Sequence, residues 1–152
     1  MPDLSGHVVF CEDIRSELGD QVSYIGVYPR NRGTFEVDDD GDIVLSRFAL
    51  ACYLAMPVEF KGESPSLTIT QIDKNKREKQ IASEILPEIP DRSEREVVTA
   101  MLHFQFQGVL AKPSDIIVVD LSVAGETARI GSFRFAPKKP SAGSSKPDET
   151  NP

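Results

Sequence analysis

An all-β fold, a two-sheet antiparallel β-sandwich of immunoglobulin-like or similar architecture, is what this sequence predicts. Three observations predict it: five or six stretches alternate apolar and polar residues with period two, no stretch reads as a long helix, and turn-forming residues separate the stretches at near-regular spacing. The clearest stretch is 97–109, where Val98, Ala100, Leu102, Phe104 and Phe106 fall on one side and Thr99, Met101, His103, Gln105 and Gln107 on the other. A strand with one wet face belongs to antiparallel sheets packed face to face. A parallel sheet covered by helices would read as continuous Val, Ile and Leu.

The elements follow in chain order. Residues 7–12 read as a first strand, 13–20 as a polar link holding one helical turn at most, and 21–28 as a second strand. Pro29 to Gly33 is dense in turn formers, and 34–37 then enters the acidic turn Asp38-Asp39-Asp40-Gly41-Asp42. Its Asp-Gly step suits the positive φ of a hairpin, with 43–45 as the returning strand. Residues 48–60 could pass for a buried helix, but Pro57 and the alternation of Phe48, Leu50, Cys52, Leu54, Met56 and Val58 select a strand.

Residues 66–72 are another strand, 73–80 a charged loop or hairpin tip, and 81–86 a short edge strand. The prolines at 87 and 90 punctuate a crossover; Ser93-Glu94-Arg95-Glu96 has capping-box spacing, yet the strand pattern resumes at Val97 and leaves room for one turn only. Residues 116–123 and 128–136 form a hairpin around Ala124-Gly125-Glu126-Thr127. One sandwich domain over 1–137 is expected, followed by a disordered tail at 138–152, whose Lys, Pro, Ser and Gly cannot bury a core.

At 152 residues the chain is long enough to bury about two thirds of its unfolded surface, so no metal or disulfide is needed for stability. The net charge is −7 and the tail carries +1, which leaves −8 on 1–137. An acidic body disfavours nucleic acid and anionic membrane as partners, and 7% aromatic content without Trp gives little material for stacking bases. The N-terminus lacks the charge and apolar run of a signal peptide, so a cytoplasmic location is expected. Cys11 and Cys52 sit in apolar strand-like runs and read as buried, reduced thiols.

Motifs with chemical content are few. Asp38, Asp40 and Gly41 fit the third, fifth and sixth positions of a calcium loop beginning at Glu36, but Arg47 stands where a bidentate Glu is needed. A looser cation site on Asp38, Asp40 and Asp42, with Asp39 beside them, is the weak metal candidate. Cys11 with His103 is the one thiol and base pair, with Glu12 or Asp13 to orient it. His7 has no companion at metal-ligand spacing. The cluster from Lys74 to Lys79 contains Glu78 and adjoins Asp73, so it reads as a solvated loop.

The segment Phe10-Cys11-Glu12-Asp13-Ile14-Arg15-Ser16-Glu17, then Gly19, then Ser23-Tyr24-Ile25-Gly26-Val27-Tyr28, resembles the opening of a functionally uncharacterised bacterial family, a domain of unknown function. Its members begin with a strand ending in Cys-Asp/Glu-Asp-Ile/Val-Arg and continue into Ser-x-Ile-Gly-Val-Tyr. The resemblance spans about residues 8–28 and implies a small, largely β protein, with no activity attached. Physically, Arg15 is within reach of Glu12, Asp13 and Glu17 and reads as a charge network pinning the first crossover, while Gly26 marks a bulge or close approach.

The functional expectation is a non-enzymatic interaction or assembly module without a cofactor, acting on a protein partner or on itself as a homodimer through an edge strand. The recognition face is Thr99, Met101, His103, Gln105 and Gln107, open to strand addition if that strand lies at an edge. The alternatives are a small-ligand or divalent-cation domain using the turn 38–42, and an enzyme using Cys11 or the cluster Glu12, Asp13, Arg15 and Glu17.

Overall fold

The computed structural model of the chain describes residues 3–91 and 97–139; the capping-box pattern at 93–96 and the tail from 140 lie outside them. The fold is all-β. Its strands are β1 (Ser5–Cys11), β2 (Asp13–Ser16), β3 (Val22–Ile25), β4 (Arg32–Phe35), β5 (Ile43–Pro57), β6 (Ser66–Ile72), β7 (Glu78–Ile85), β8 (Val97–Ala111), β9 (Ile116–Val123) and β10 (Glu126–Pro137). They form a three-stranded sheet β1-β5-β8, a five-stranded sheet β4-β10-β9-β6-β7 and a separate two-stranded sheet β2-β3. All pairings are antiparallel except the short parallel match of β4 to β10.

The two larger sheets pack face to face. Phe10, Phe48, Leu50, Cys52 and Leu54 point inward from one, and Leu67, Ile69, Ile117, Val119, Leu121, Phe133 and Phe135 from the other. Phe133 lies at the centre, its ring 5.0–5.1 Å from those of Phe10, Tyr28, Phe48 and Phe135. Tilted aromatic pairs of this kind contribute about 0.5–1.5 kcal/mol each beyond the area they bury. Where β1 crosses β10, Gly131 admits the Val8 side chain, whose Cγ2 stands only 2.7 Å from where a Cβ would sit. Most of the chain's aromatic residues are therefore committed to the core.

The third sheet explains the residues that looked most helical. The β2-β3 hairpin folds over the outer face of the three-stranded sheet and closes a second small core of Cys11, Ile14, Ala49 and Ala51, with Val9, Tyr24 and Tyr53 against it. β5 is thus buried on both faces, and Phe48 to Cys52 is an unbroken buried run. Continuous hydrophobicity is what double burial demands, in an antiparallel sheet as in a parallel one.

Several expectations are corrected. The link 13–20 is not helical: Asp13–Ser16 is strand, paired with β3 from Asp13↔Ile25 to Ser16↔Val22. The second strand ends at Ile25 instead of reaching Tyr28, because Gly26 takes φ +65 and the chain re-enters the core, the Tyr28 N–H donating to the Phe10 carbonyl. The turn 38–42 closes as expected, with Gly41 at φ +81, yet it joins β4 in one sheet to β5 in the other and makes no hairpin. Residues 43–45 and 48–57 are one strand, followed by a 3-10 turn at Val58–Phe60. The charged tip is shorter than 73–80, since β7 starts at Glu78.

Candidate functional site

β8 is the edge of the three-stranded sheet. It pairs with β5 from Val97↔Pro57 to Ala111↔Ile43 and, among the described residues, with no strand on its other side. Its sequence contains no Asp, Glu, Lys or Arg over 15 residues. The other long edge differs: β7 carries Glu78, Lys79 and Glu84. Natural edges are guarded by charge, proline, brevity or cover, and β8 lacks the first two and the third.

The ladder is not uniform. The partners step from Arg47↔Gln107 to Leu45↔Val109, so Ser46 and Gly108 are skipped, and Gly108 stands at φ +85. Alternation changes phase there. Phe106 and Val109, three residues apart, both contact the main core, as do Phe48 and Leu45 opposite. Beyond the irregularity the edge is blocked, because the Gln71 side chain donates from Nε2 to the Leu110 carbonyl at 3.1 Å. Among the described residues the free part of the edge is therefore 97–107.

The outer face of this sheet falls into rows across β1, β5 and β8: Ser5–Ala55–Thr99, His7–Tyr53–Met101, Val9–Ala51–His103 and Cys11–Ala49–Gln105. The β2-β3 hairpin covers the last two. Gln105 donates from Nε2 to the Ile14 carbonyl at 2.7 Å, and the Tyr24 hydroxyl meets His103 Nε2 at 3.1 Å and the Tyr53 hydroxyl. The first row stays open, the second is touched by the hairpin only at the Tyr24 hydroxyl, which also lies 3.7 Å from Met101 Sδ, and together they line a depression of about 610 Å³, with the His7 ring stacked on Tyr53 at 4.6 Å and Met101 half-exposed.

The expected recognition face is thus divided. Thr99 and Met101 line the open depression, His103 and Gln105 hold the hairpin, and Gln107 lines a polar cleft of about 250 Å³ with Glu12, Asp13 and Arg47. No feature of the sequence announced the hairpin, since a short polar strand resembles a loop. The inner side of the free edge is half-buried: Val98, Ala100, Leu102, Phe104 and Phe106 pack against the main core and still reach solvent.

The other candidate residues have structural employment. Asp13 Oδ2 accepts from Arg15 Nε at 3.2 Å and lies 3.5 Å from Arg47 Nη1, so the network at the first crossover forms; Glu12 and Glu17 make no ion pair with Arg15 among the described residues, and Arg47 is the partner the sequence did not suggest. The Glu12 side chain instead crosses Gly26, where a Cβ would meet it at 2.7 Å. The close approach at Gly26 is real, but a side chain makes it. Tyr28 lies in the aromatic core; burial, then the Glu12 charge, pushes its phenol up to about 12.

Cys11 and Cys52 are free and fully buried, on opposite faces of the three-stranded sheet. Burial raises the Cys11 thiol, whose Sγ–H points to the Asp13 carbonyl at 3.5 Å, and pushes Cys52 up to about 12, so both are protonated at neutral pH. His103 Nε2 is engaged by Tyr24 rather than by Cys11. In the acidic turn, Asp38 Oδ1 accepts from the Asp40 and Asp42 N–H groups, and Asp42 Oδ1 is 3.0 Å from Lys112 Nζ. Among the described residues no three His, Cys, Asp or Glu side chains come close enough to share a metal ion. No described helix is long and apolar enough to cross a membrane. The chain matches no protein-family model and no curated protein.

Proposed function

We propose that this chain is a non-enzymatic module that binds another polypeptide by strand addition along β8. The observation that carries this reading is the uncharged edge at 97–107, unpaired among the described residues. An extended segment laid beside it gains a ladder of backbone hydrogen bonds, while its alternate side chains find the half-buried row of Ala100, Leu102 and Phe104 on one side and the depression at Thr99 and Met101 on the other. We place the protein in a reducing, cytoplasmic setting on the two buried, unpaired thiols.

The test is peptide selection from a random library on chain immobilised too sparsely for two copies to meet, beside the double variant Thr99→Lys/Met101→Lys. Both positions are exposed, so the variant folds, and lysine is the residue that guards natural edges. Wild type is expected to enrich extended peptides with alternating apolar residues, and the variant to retain them at least about tenfold more weakly, the loss of roughly one ordinary contact's worth of affinity. Equal retention by both, or none by wild type, sinks the reading.

A further inference from the structure

We propose that the occupant of this edge is a second copy of the chain, paired antiparallel about a two-fold axis through Leu102; the inference rests on the strand-addition reading above. The register follows from where the free edge stops. Gly108 interrupts the regular ladder with its left-handed backbone, Gln71 occupies the Leu110 carbonyl, and the last described rung at the other end is Val97 opposite Pro57, where β5 ends; the midpoint of the described stretch 97–107 is Leu102. A two-fold pair sets residues facing each other on the same side of the sheet, so the axis must pass through a residue, and only Leu102 uses the whole free edge.

In that register the inner face sets Val98 against the partner's Phe106, Ala100 against the partner's Phe104, and Leu102 against the partner's Leu102. Small residues thus meet large ones along a row that one copy leaves half-buried. The outer face sets Thr99 against the partner's Gln105 and Met101 against the partner's His103. No formal charge faces another of the same sign, which matters for a chain of net charge −7 meeting itself. Moving the axis to Met101 or His103 shortens the ladder by two residues and loses the pairing of Ala100 with Phe104.

The size of the contact sets its strength. A ladder of this length is about 37 Å long; with a sheet about 10 Å thick it covers about 370 Å² per copy, about half of what each partner buries in a standard specific interface, so the contact is of the weak, transient kind. A dimer that dissociates in the micromolar range is expected, strengthened where the depression at Met101 adds to the ladder.

The experiment is light scattering of the full chain across concentration, combined with nitroxide labels on single cysteines introduced by Thr99→Cys, Met101→Cys and Gln107→Cys. The native thiols are fully buried and stay unlabelled. The expected result is a dimer that grows with concentration and is weakened at least tenfold by Thr99→Lys/Met101→Lys. Backbone separations between copies should be about 8 Å at position 101, about 21 Å at 99 and about 34 Å at 107, from the rise and spacing of strands. A chain that stays monomeric overturns the second copy as occupant, and peptide retention on the sparse surface then decides the strand-addition reading separately. A dimer whose distances depart from those values, as the Met101 axis would with about 14 Å at 99 and about 41 Å at 107, overturns the Leu102 axis.

Discussion

Asp115 is the one charged side chain among the described residues that the fold buries, with 5% of its surface exposed. Its Oδ2 accepts from the Lys112 N–H and from Gln71 Nε2, both at 2.9 Å, and its backbone carbonyl accepts the Phe135 N–H at 3.0 Å. One short turn thus ties the end of β8 to β6 and β10. A carboxylate pays its desolvation only when bonded this way, and the same bonds position Gln71 to block Leu110. Asp115→Ala removes the acceptor and leaves two donors without one, an expected loss of about 2–3 kcal/mol; Asp115→Asn retains an oxygen and should lose under about 1 kcal/mol. Urea midpoints at unchanged slope measure both. Equal losses in the two variants would mean that the negative charge, and not the hydrogen bonds, holds the corner.

At the scale of elements, the β2-β3 hairpin is the separable piece. It lies on the outer sheet face through Ile14, Tyr24 and the Gln105 bond, with the exposed Leu18 at its tip, and the second core beneath it is small. Gln105→Ala deletes one bond of about 1 kcal/mol, and Tyr24→Phe deletes the hydroxyl that meets both His103 and Tyr53, a loss of at least about as much. Amide exchange across 13–25 should accelerate about fivefold in either variant while the protection of β5 and β9 is unchanged. Uniform acceleration over the whole chain would show that the hairpin unfolds only with the sandwich. This element also marks the limit of what the residues alone declared. The strands at 66–72 and 116–123 were legible to the residue, because the first alternates and the second is a short run rich in Ile and Val, each between turns rich in Gly, Pro or Asp. Asp13–Ser16 was not, since a four-residue strand with Asp, Arg and Ser has no period to read and owes its conformation to the face it covers. Likewise 43–57 read as two strands because its alternation changes phase at Ser46 and Arg47, a property of the pair with Gly108 and not of either segment. Of the site, the stripe from Thr99 to Gln107 was legible as one face; that β8 lies at an edge is a fact of topology, and that the hairpin takes His103 and Gln105 is a long-range contact.

For the whole molecule, the two cores share a dependence on keeping phenols and thiols neutral. Burial lifts Cys52 from 9.0 to about 12 in the main core; Tyr28 there, by burial and the Glu12 charge, rises from 10.0 to about 12. Tyr24, over the second core, is raised from 10.0 to about 12 by burial and its bond to Tyr53, and Cys11 beneath it shifts in the same direction. Each group holds its proton more tightly folded than unfolded, so between the two values the folded state binds more protons. Stability from these groups is fully present below about pH 9 and is withdrawn as pH rises from 9 through 12. The accumulating negative charge of an already acidic chain acts in the same direction. Urea midpoints should be level from pH 7 to 8.5 and fall steadily above 9, and phenolate absorbance of the folded protein should show two of its three tyrosines titrating near 12. Tyr28→Phe removes one of the groups and should flatten the fall, whatever it does to stability at pH 7. A midpoint that stays level to pH 11 would mean that the phenols and thiols reach water in the folded state, and that the sandwich is looser around Tyr28 and Cys52 than its packing indicates.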